Sequence, residues 1–193
     1  MKTNLHQKII GIVLVAMGLG LSARAAELTA YQLIKEGNRY VSEDAKDKIV
    51  QIRSDKSVGT MVPNIWYIVY FDPDATFKAT EVKFGAGQKM EVKRPTRMLE
   101  FGTADEKKLD RKKMNVDSDK ALAIAIKDPL LTNLKLTSSQ FWLQRSDDGP
   151  VWKIRLWAAK VRNPNADADI GDMYILAEDG KVMRRDLHID KAN

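Results

Sequence analysis

The feature that most constrains the fold is an order of local signals that occurs twice along the chain. In each half, a helical pattern precedes a strand with a tryptophan, then a loop rich in proline and acidic residues, then a glycine turn. The two tryptophans are Trp66 and Trp152. A unit repeated in the same order is the usual sign of an internal repeat. The sequence therefore predicts an α+β fold with two tandem repeats, each a helix packed on a four-stranded antiparallel sheet.

Helix signals open both halves. Thr29 with Gln32 three residues later forms a capping box, in which each residue satisfies a free backbone N–H at the start of a helix. In the second half, Asp117 or Ser118 is expected to cap the helix, and Pro129 is expected to end it. These signals predict one helix at the start of each repeat.

The strands follow from period-two alternation. One side of the second tryptophan strand is apolar, and it comprises Trp152, Ile154, Leu156 and Ala158. The other side comprises Val151, Lys153, Arg155 and Trp157. Because lysine and arginine are costly to bury without a partner, we expect the second side to be the wetter one.

The first strand of each repeat has an ambiguous register. An Arg-Ser-Asp triplet occurs at residues 53–55 and 145–147 and suggests an alignment of the two halves. Alternation, however, points Val50 and Ile52 inward in the first half and Phe141 and Leu143 inward in the second. The triplet alignment does not pair these inward residues with one another. Since a shift of one residue reverses the face of a strand, either a β-bulge intervenes or the triplet match is accidental.

The N-terminal residues have the pattern of a secretory signal peptide. Lys2 and Lys8 flank an uncharged start, residues 9–21 are apolar apart from glycines, and residues 23–25 provide the small residues that a signal peptidase recognises. The apolar run is shorter than the roughly 20 residues of a membrane-spanning helix. We therefore expect a mature chain that begins at Ala26, is periplasmic or secreted, and has no transmembrane segment.

The composition of the predicted mature chain excludes several classes of protein. Loss of three basic residues with the leader lowers the formal net charge from +6 to +3, or 29 basic against 26 acidic residues, so nucleic-acid binding is not expected. The chain has no cysteine, and its mature part has a single histidine, His188. Cys/His catalysis and multi-histidine metal sites are thereby excluded. We expect a protein that is not an enzyme and has no cofactor.

An acidic segment has the oxygen-rich composition of a calcium loop. Its polar residues are Asn165, Asp167, Asp169 and Asp172. Ile170 occupies the glycine position of an EF-hand loop and Leu176 its closing glutamate position, so an EF-hand is excluded. A looser calcium site and a solvated turn both stay open.

The predicted domain boundaries follow from these segments. Residues 1–25 are the signal peptide, 26–97 the first repeat, 98–115 a charged connector and 116–193 the second repeat. Within the connector, Thr103 and Glu106 form a further capping box, which predicts a short helix.

The second half contains "PVW" at residues 150–152 and "YILAEDGKVM" at residues 174–183. With the preceding helix and strand, this order resembles the PepSY module of exported bacterial proteins. Residues 116–189 match best, whereas the first half has Gly-Ala-Gly in place of the acidic-glycine turn. The resemblance implies an arrangement similar to the beta-lactamase inhibitor protein and an interaction or inhibitory role without catalytic residues. The long first loop, residues 56–62, departs from the pattern, and without an attached protease domain a propeptide role is not expected.

The candidate binding residues are those predicted to lie on the face of the sheet away from the helices. If both tryptophans Trp66 and Trp152 face the core, the candidates on the other face are Tyr67, Phe71, Trp142, Arg155, Trp157 and Tyr174. Aromatic residues and arginine are the types that anchor protein interfaces. We therefore expect a non-catalytic binding or inhibitory protein that engages an envelope or secreted protein or peptide. Burial of this face by the other repeat or by a homodimer partner is the competing explanation.

Basic clusters indicate an alternative function. They comprise Lys89, Lys93, Arg94 and Arg97, residues 107–113, and Lys181, Arg184 and Arg185. These clusters would suit a polyanion of the cell envelope, such as lipid headgroups or wall polymers. They are also typical of charged edge strands, which discourage aggregation between sheets. A small-molecule binder or a hydrolase is the third alternative.

Overall fold

The computed structural model describes residues 27–95 and 108–193, and its main element is one antiparallel sheet of eight strands. The strands are β1 (Ile49–Ser54), β2 (Ile65–Phe71), β3 (Ala79–Gly85), β4 (Gln88–Lys93), β5 (Leu136–Ser146), β6 (Gly149–Ala159), β7 (Asp167–Leu176) and β8 (Val182–Leu187). Their order across the sheet is β4-β3-β2-β1-β5-β6-β7-β8. The predicted leader, its cleavage site and the Thr103 capping box lie outside the described residues.

The predicted fold class is wrong. The structure is one continuous sheet and is mostly β, not two repeats that each place a helix on a four-stranded sheet. The reason is the antiparallel pairing of β1 with β5, in which Ile52 lies opposite Leu143 and Arg53 opposite Trp142. This pairing joins strands from the two halves of the chain. Local sequence patterns specify where strands begin and end, but not which distant strand will complete a free edge.

Two short α-helices accompany the sheet, α1 (Ala30–Gly37) and α2 (Ser118–Ile126). The predicted capping box at Thr29 is confirmed, since its side chain accepts from the N–H of Gln32 and the Gln32 side chain accepts from the N–H of Thr29. Asp117, rather than Ser118, is the residue that caps α2. Helices of eight and nine residues are marginal alone, so their stability depends on packing against the sheet.

The starts of the two helices are joined by shared hydrogen bonds. The Asp117 carboxylate accepts from the N–H of Ser118 at 2.6 Å and from the N–H of Tyr31 at 3.1 Å. The Ser118 hydroxyl in turn accepts from the N–H of Ala30 at 3.1 Å. One carboxylate therefore satisfies free donors at the beginning of both helices, which fixes the helices to one another on the same side of the sheet.

The core lies between this helix side and the sheet. Trp152 is fully buried, its ring stacks on Tyr31 with a centroid distance of 6.1 Å, and it meets Phe141 edge-on at 5.9 Å. Its indole N–H donates to the carbonyl of Val116 at 2.8 Å, which satisfies the polar atom of the ring. Trp66 is buried in the same core. The alternation predicted for the Trp152 strand is confirmed, because the apolar side of β6 is buried.

A β-bulge resolves the register of the first strand. The pairing of β1 with β2 shifts between Ile49 and Gln51. Ile49 and Ile52 consequently face the helix-side core, while Val50 packs with Val69 on the other side of the sheet. The expected inward direction of Val50 is therefore wrong, and the extra residue of the bulge is the cause.

Within residues 27–95 and 108–193, no helix is long and apolar enough to cross a membrane. The described part of the predicted connector contains only one turn of 3₁₀-helix, Arg111–Lys113. The glycine turn between β3 and β4 is where it was expected: Ala86 and Gly87 have φ of 48° and 78°. Positive φ at both central positions matches the twist of a two-residue hairpin.

Candidate functional site

The face of the sheet away from the helices, called here the outer face, carries a row of side chains that alternate between cation and aromatic ring. The row crosses seven neighbouring strands, and each member lies directly opposite the next in the strand register. It consists, in order from β3 to β8, of Lys83, Tyr67, Arg53, Trp142, Lys153, Tyr174 and Arg184. With neighbouring strands about 4.8 Å apart, this cation–aromatic row is roughly 29 Å long.

The cations of the row pack over its rings. The Arg53 guanidinium lies 3.9 Å from the centroid of the Tyr67 ring, and the Arg184 guanidinium lies 4.1 Å from that of Tyr174. The Lys153 ammonium is 5.3 Å from the Trp142 ring. A cation within about 6 Å of a ring centroid is attracted by the negative face of the ring. The row is therefore held in one arrangement by contacts between its own members.

Carboxylates beside the row fix two of its cations. Arg53 is ion-paired with Glu81 at 2.6 Å, and Lys153 with Asp172 at 3.1 Å. Among the described residues, no carboxylate pairs with Lys83 or with the exposed Arg184. The two ends of the row therefore carry positive charge that no carboxylate of the described residues pairs with.

Arg155 lies next to the row on the same side of β6. Its guanidinium makes two hydrogen bonds to the Asp172 carboxylate, at 2.9 and 3.2 Å, and this contact raises the pKa of Arg155. Burial of Asp172 favours its neutral form, but hydrogen bonds from Arg155 and Lys153 outweigh burial and lower the pKa of this carboxyl. Asp172 is thus held ionised, and it orients two cations beside the Trp142 ring.

Trp157 lies two residues beyond Arg155 on the same side of β6. The Lys56 ammonium, from the loop after β1, lies 4.5 Å from its ring and 3.7 Å from an Asp167 oxygen. The side chain of Trp157 is half-buried. The outer face is therefore extended past the row by a second aromatic and cation pair.

The structure brings together five of the six predicted binding residues. Tyr67, Trp142 and Tyr174 belong to the row, and Arg155 and Trp157 adjoin it. Phe71 lies apart: it packs with Val50, Val69 and Ala79 at the end of β2. Because Phe71 lies four positions beyond Tyr67 along the strand, roughly 13 Å, Phe71 does not continue the row.

Sequence reasoning missed most of the cations of this face. Arg53, Lys83 and Lys56 were not identified, although each lies over an aromatic ring. Arg184 was assigned to a basic cluster instead. Alternation within β2 and β3 places Lys83 and Tyr67 on one side, so part of this signal was present in the sequence. The position of Arg53 between Tyr67 and Trp142 depends on the β1–β5 pairing, which the sequence did not reveal.

Two of the three basic clusters lie at opposite edges of the sheet, whereas the described part of the third lies in the connector, where Lys108 packs over the Phe71 ring of β2. Lys89 and Lys93 belong to β4, in which every residue is exposed, and Arg184 and Arg185 belong to β8. Seven strand spacings separate these edges, roughly 34 Å, so the clusters do not form one patch. Charged edge strands protect an open sheet from pairing with another sheet, and this position fits that explanation. Arg97 and Lys107 lie outside the described residues.

The described residues contain no group of three or more histidine, aspartate or glutamate side chains arranged to hold a metal ion. In the acidic segment, Asp169 and Asp172 both face Arg155, at 3.8 and 2.9 Å, instead of converging on an empty centre. His188 lies just after β8, exposed, with its Nε2 3.7 Å from an Asp186 oxygen.

Comparisons of the chain with protein-family models, curated proteins and solved structures found no match. The resemblance to the PepSY module therefore stays a prediction.

Proposed function

We propose that this protein is a non-catalytic binding protein that engages an exported or envelope protein or peptide through the outer face of its sheet. The observation that carries the proposal is the cation–aromatic row, which crosses seven strands with one cation or one ring on each. Tyrosine, tryptophan and arginine dominate the energetics of protein interfaces, and this face is built from those residues with lysine.

Two cations of the row are each held by both a ring and a carboxylate of the chain itself. Arg53 is held by both the Tyr67 ring and Glu81, and Lys153 by both the Trp142 ring and Asp172. Ordering a long side chain on binding costs about 0.5–1.5 kcal/mol. A surface whose cations are ordered in the free protein avoids much of that cost, which favours a role in recognition.

The outer face is also accessible along the row. Both α-helices pack on the other side of the sheet, where their buried residues join the core. The rings of Tyr67, Trp142 and Tyr174 are half-buried rather than enclosed, so their edges reach the surface. An aromatic surface of this length on an open sheet is typical of a contact region. We further propose that the predicted leader exports the protein to the periplasm or beyond.

The test is affinity capture from the native envelope fraction with the wild-type chain and three variants, Trp142→Ala, Arg155→Ala and Trp157→Ala. Loss of a hot-spot aromatic or arginine typically costs about 2 kcal/mol or more of binding, so we expect each variant to weaken capture of the main partner at least about tenfold. Quantitative mass spectrometry of the captured proteins provides the measurement, and sedimentation of the purified chain shows whether a second copy covers the face.

Arg39→Ala is the matched control for Arg155→Ala. Arg39 also pairs with a carboxylate, that of Glu36 at 2.9 Å, but it lies on the helix side of the molecule. This control is expected to capture the same proteins as the wild type. If the three outer-face variants retain capture, or if Arg39→Ala loses it equally, the outer face is not the binding surface.

A further inference from the structure

A cavity on the helix side of the molecule is independent of the cation–aromatic row. Its volume is about 330 Å³, and it opens between the start of α1, the start of α2 and the loop before β2. The buried rings of Trp66 and Phe141 form its floor, and Leu122 of α2 forms a wall. Ligand pockets in proteins usually begin at about 300 Å³, so this cavity is large enough for a small molecule.

The interior of the cavity favours an apolar occupant. The indole N–H of Trp66 already donates to the carbonyl of Pro63 at 2.9 Å, and the Ser118 hydroxyl already accepts from the N–H of Ala30 at 3.1 Å. None of the described lining side chains buries a polar atom without a hydrogen-bond partner. An apolar ligand body would therefore displace water from rings and aliphatic groups without leaving a polar group unsatisfied.

The mouth of the cavity carries exposed apolar side chains. Leu28 is 37% exposed and Val62 is 43% exposed, and both line the cavity. They approach it from different sides, one from the residues before α1 and the other from the loop before β2. Removing them from water would add to the affinity for an apolar ligand, in proportion to the apolar area that is buried.

The charges of the cavity have one sign. Among the described residues, the ionisable side chains that line it are those of Glu27 and Asp119, and none of the described lining side chains is cationic. Neither carboxylate takes part in an ion pair or a side-chain hydrogen bond with another described residue. A positively charged group at the mouth would therefore find two carboxylates free to pair with it, whereas an anionic group would be repelled.

We propose that this cavity binds a small cationic amphiphile, with an apolar body in the cavity and a positively charged head between Glu27 and Asp119. A water-sized group occupies about 30 Å³, so the cavity holds roughly ten such groups, which suits a chain of about eight carbons. This site goes beyond the proposed protein-binding function and does not depend on it, since it lies on the opposite side of the sheet.

The test uses three probes that share an eight-carbon body: octyltrimethylammonium, 1-octanol and octanoate. Titration calorimetry on the full chain should show one-to-one binding of octyltrimethylammonium, with octanoate at least about tenfold weaker because like charges across an interface are repelled. In the double variant Glu27→Gln/Asp119→Asn, the affinity for octyltrimethylammonium should fall to that for 1-octanol, and the affinity for 1-octanol should be the same as in the wild type.

Blocking variants locate the site. Val62→Trp places a large ring at the mouth and should abolish binding of all three probes, and Thr60→Trp, at a second lining position, should do the same. The matched control is Val58→Trp, because Val58 belongs to the same loop and is 85% exposed but does not line the cavity. Binding to a blocked variant that melts at the wild-type temperature overturns the site. Equal affinity for octyltrimethylammonium and octanoate in the wild type would contradict the proposed cationic head group. If the probes no longer bind when the chain self-associates, a second copy of the chain occupies the cavity and the proposed ligand is wrong.

Discussion

The two faces of the same sheet are built on different physical principles. On the helix side, Trp152, Ile154 and Leu156 are fully buried beneath the helices. On the outer face of the same strand, Lys153, Arg155 and Trp157 are half-buried. Lys153 and Arg155 contact a ring and a carboxylate on neighbouring strands, and Trp157 contacts Lys56 of the loop after β1. The helix side is stabilised by removal of apolar area from water, and the outer face by pairs of side chains across strands. Because successive side chains of a strand point to opposite faces, β6 contributes to both faces.

This difference separates stability from recognition. Truncating a core residue leaves a cavity that the surrounding structure fills only partly, so most of the packing contacts at that position are lost. Outer-face residues keep water on one side, so truncating them costs less in folding and more in any binding that the face performs. The following variants test that separation, in order of expected effect.

Trp152→Ala is expected to have the largest effect on stability. The ring is fully buried, stacks on Tyr31, meets Phe141 edge-on and donates to the Val116 carbonyl. Truncating a buried tryptophan typically costs about 3–5 kcal/mol. Urea unfolding followed by circular dichroism should therefore show a lower midpoint. The control is Trp157→Ala on the outer face of the same strand, which should lose less than half as much. Equal losses would show that the two faces do not differ in this way.

Asp172→Asn is expected to have an intermediate effect. The Asp172 carboxylate is nearly buried and pairs with Arg155 and Lys153, so the change leaves Lys153 without its carboxylate and leaves Arg155 only the more distant Asp169, at 3.8 Å. Breaking a fully buried pair costs about 3–5 kcal/mol, but Arg155 is about one-third exposed and water screens the pair, so we expect about 1–2 kcal/mol. Urea unfolding at neutral pH measures this loss. Asp148→Asn, at an exposed residue of the β5–β6 turn, is the control and should unfold as the wild type does.

The same pair predicts a dependence on pH. Because the folded pKa of Asp172 is lowered, its stabilisation is complete above the unfolded value of about 3.9 and disappears as the pH falls through the lower, folded value. The free energies of unfolding of the wild type and of Asp172→Asn should therefore differ at neutral pH and converge in strong acid. A difference that stays constant below pH 4 would show that Asp172 is not stabilised by its charge.

A double-mutant cycle on Tyr174 and Arg184 is expected to show the smallest effect. The Arg184 guanidinium lies 4.1 Å from the Tyr174 ring and is not ion-paired within the described chain, so the cycle isolates one contact of the row. We expect a coupling of about 0.5–1 kcal/mol in the free energy of unfolding. Tyr174 with Arg39 is the control pair, because Arg39 lies on the other side of the sheet. Coupling no larger than in that pair would show that the row is not held by its own contacts.

The candidate site was predictable only in part. Alternation along β6 identified Arg155 and Trp157 as members of a face opposite Trp152, and the structure places them there. The same reasoning pointed Val50 inward, because a bulge inserts one residue without a clear local signal. Phe71 was grouped with the other candidates from its position in an aromatic strand, yet it packs in a separate apolar cluster.

Local chemistry in the sequence was sufficient to determine the Thr29 capping box, the glycine turn before β4 and the two faces of β6, since each depends on residues within a few positions of one another. Only the tertiary structure decided that β1 pairs with β5, and that decision replaced two predicted four-stranded sheets with one sheet of eight strands. It also placed Arg53 between Tyr67 and Trp142 and thereby made the row continuous. The physical reason is that an unpaired strand edge offers hydrogen bonds to any partner strand, and the choice among partners depends on how the whole core packs.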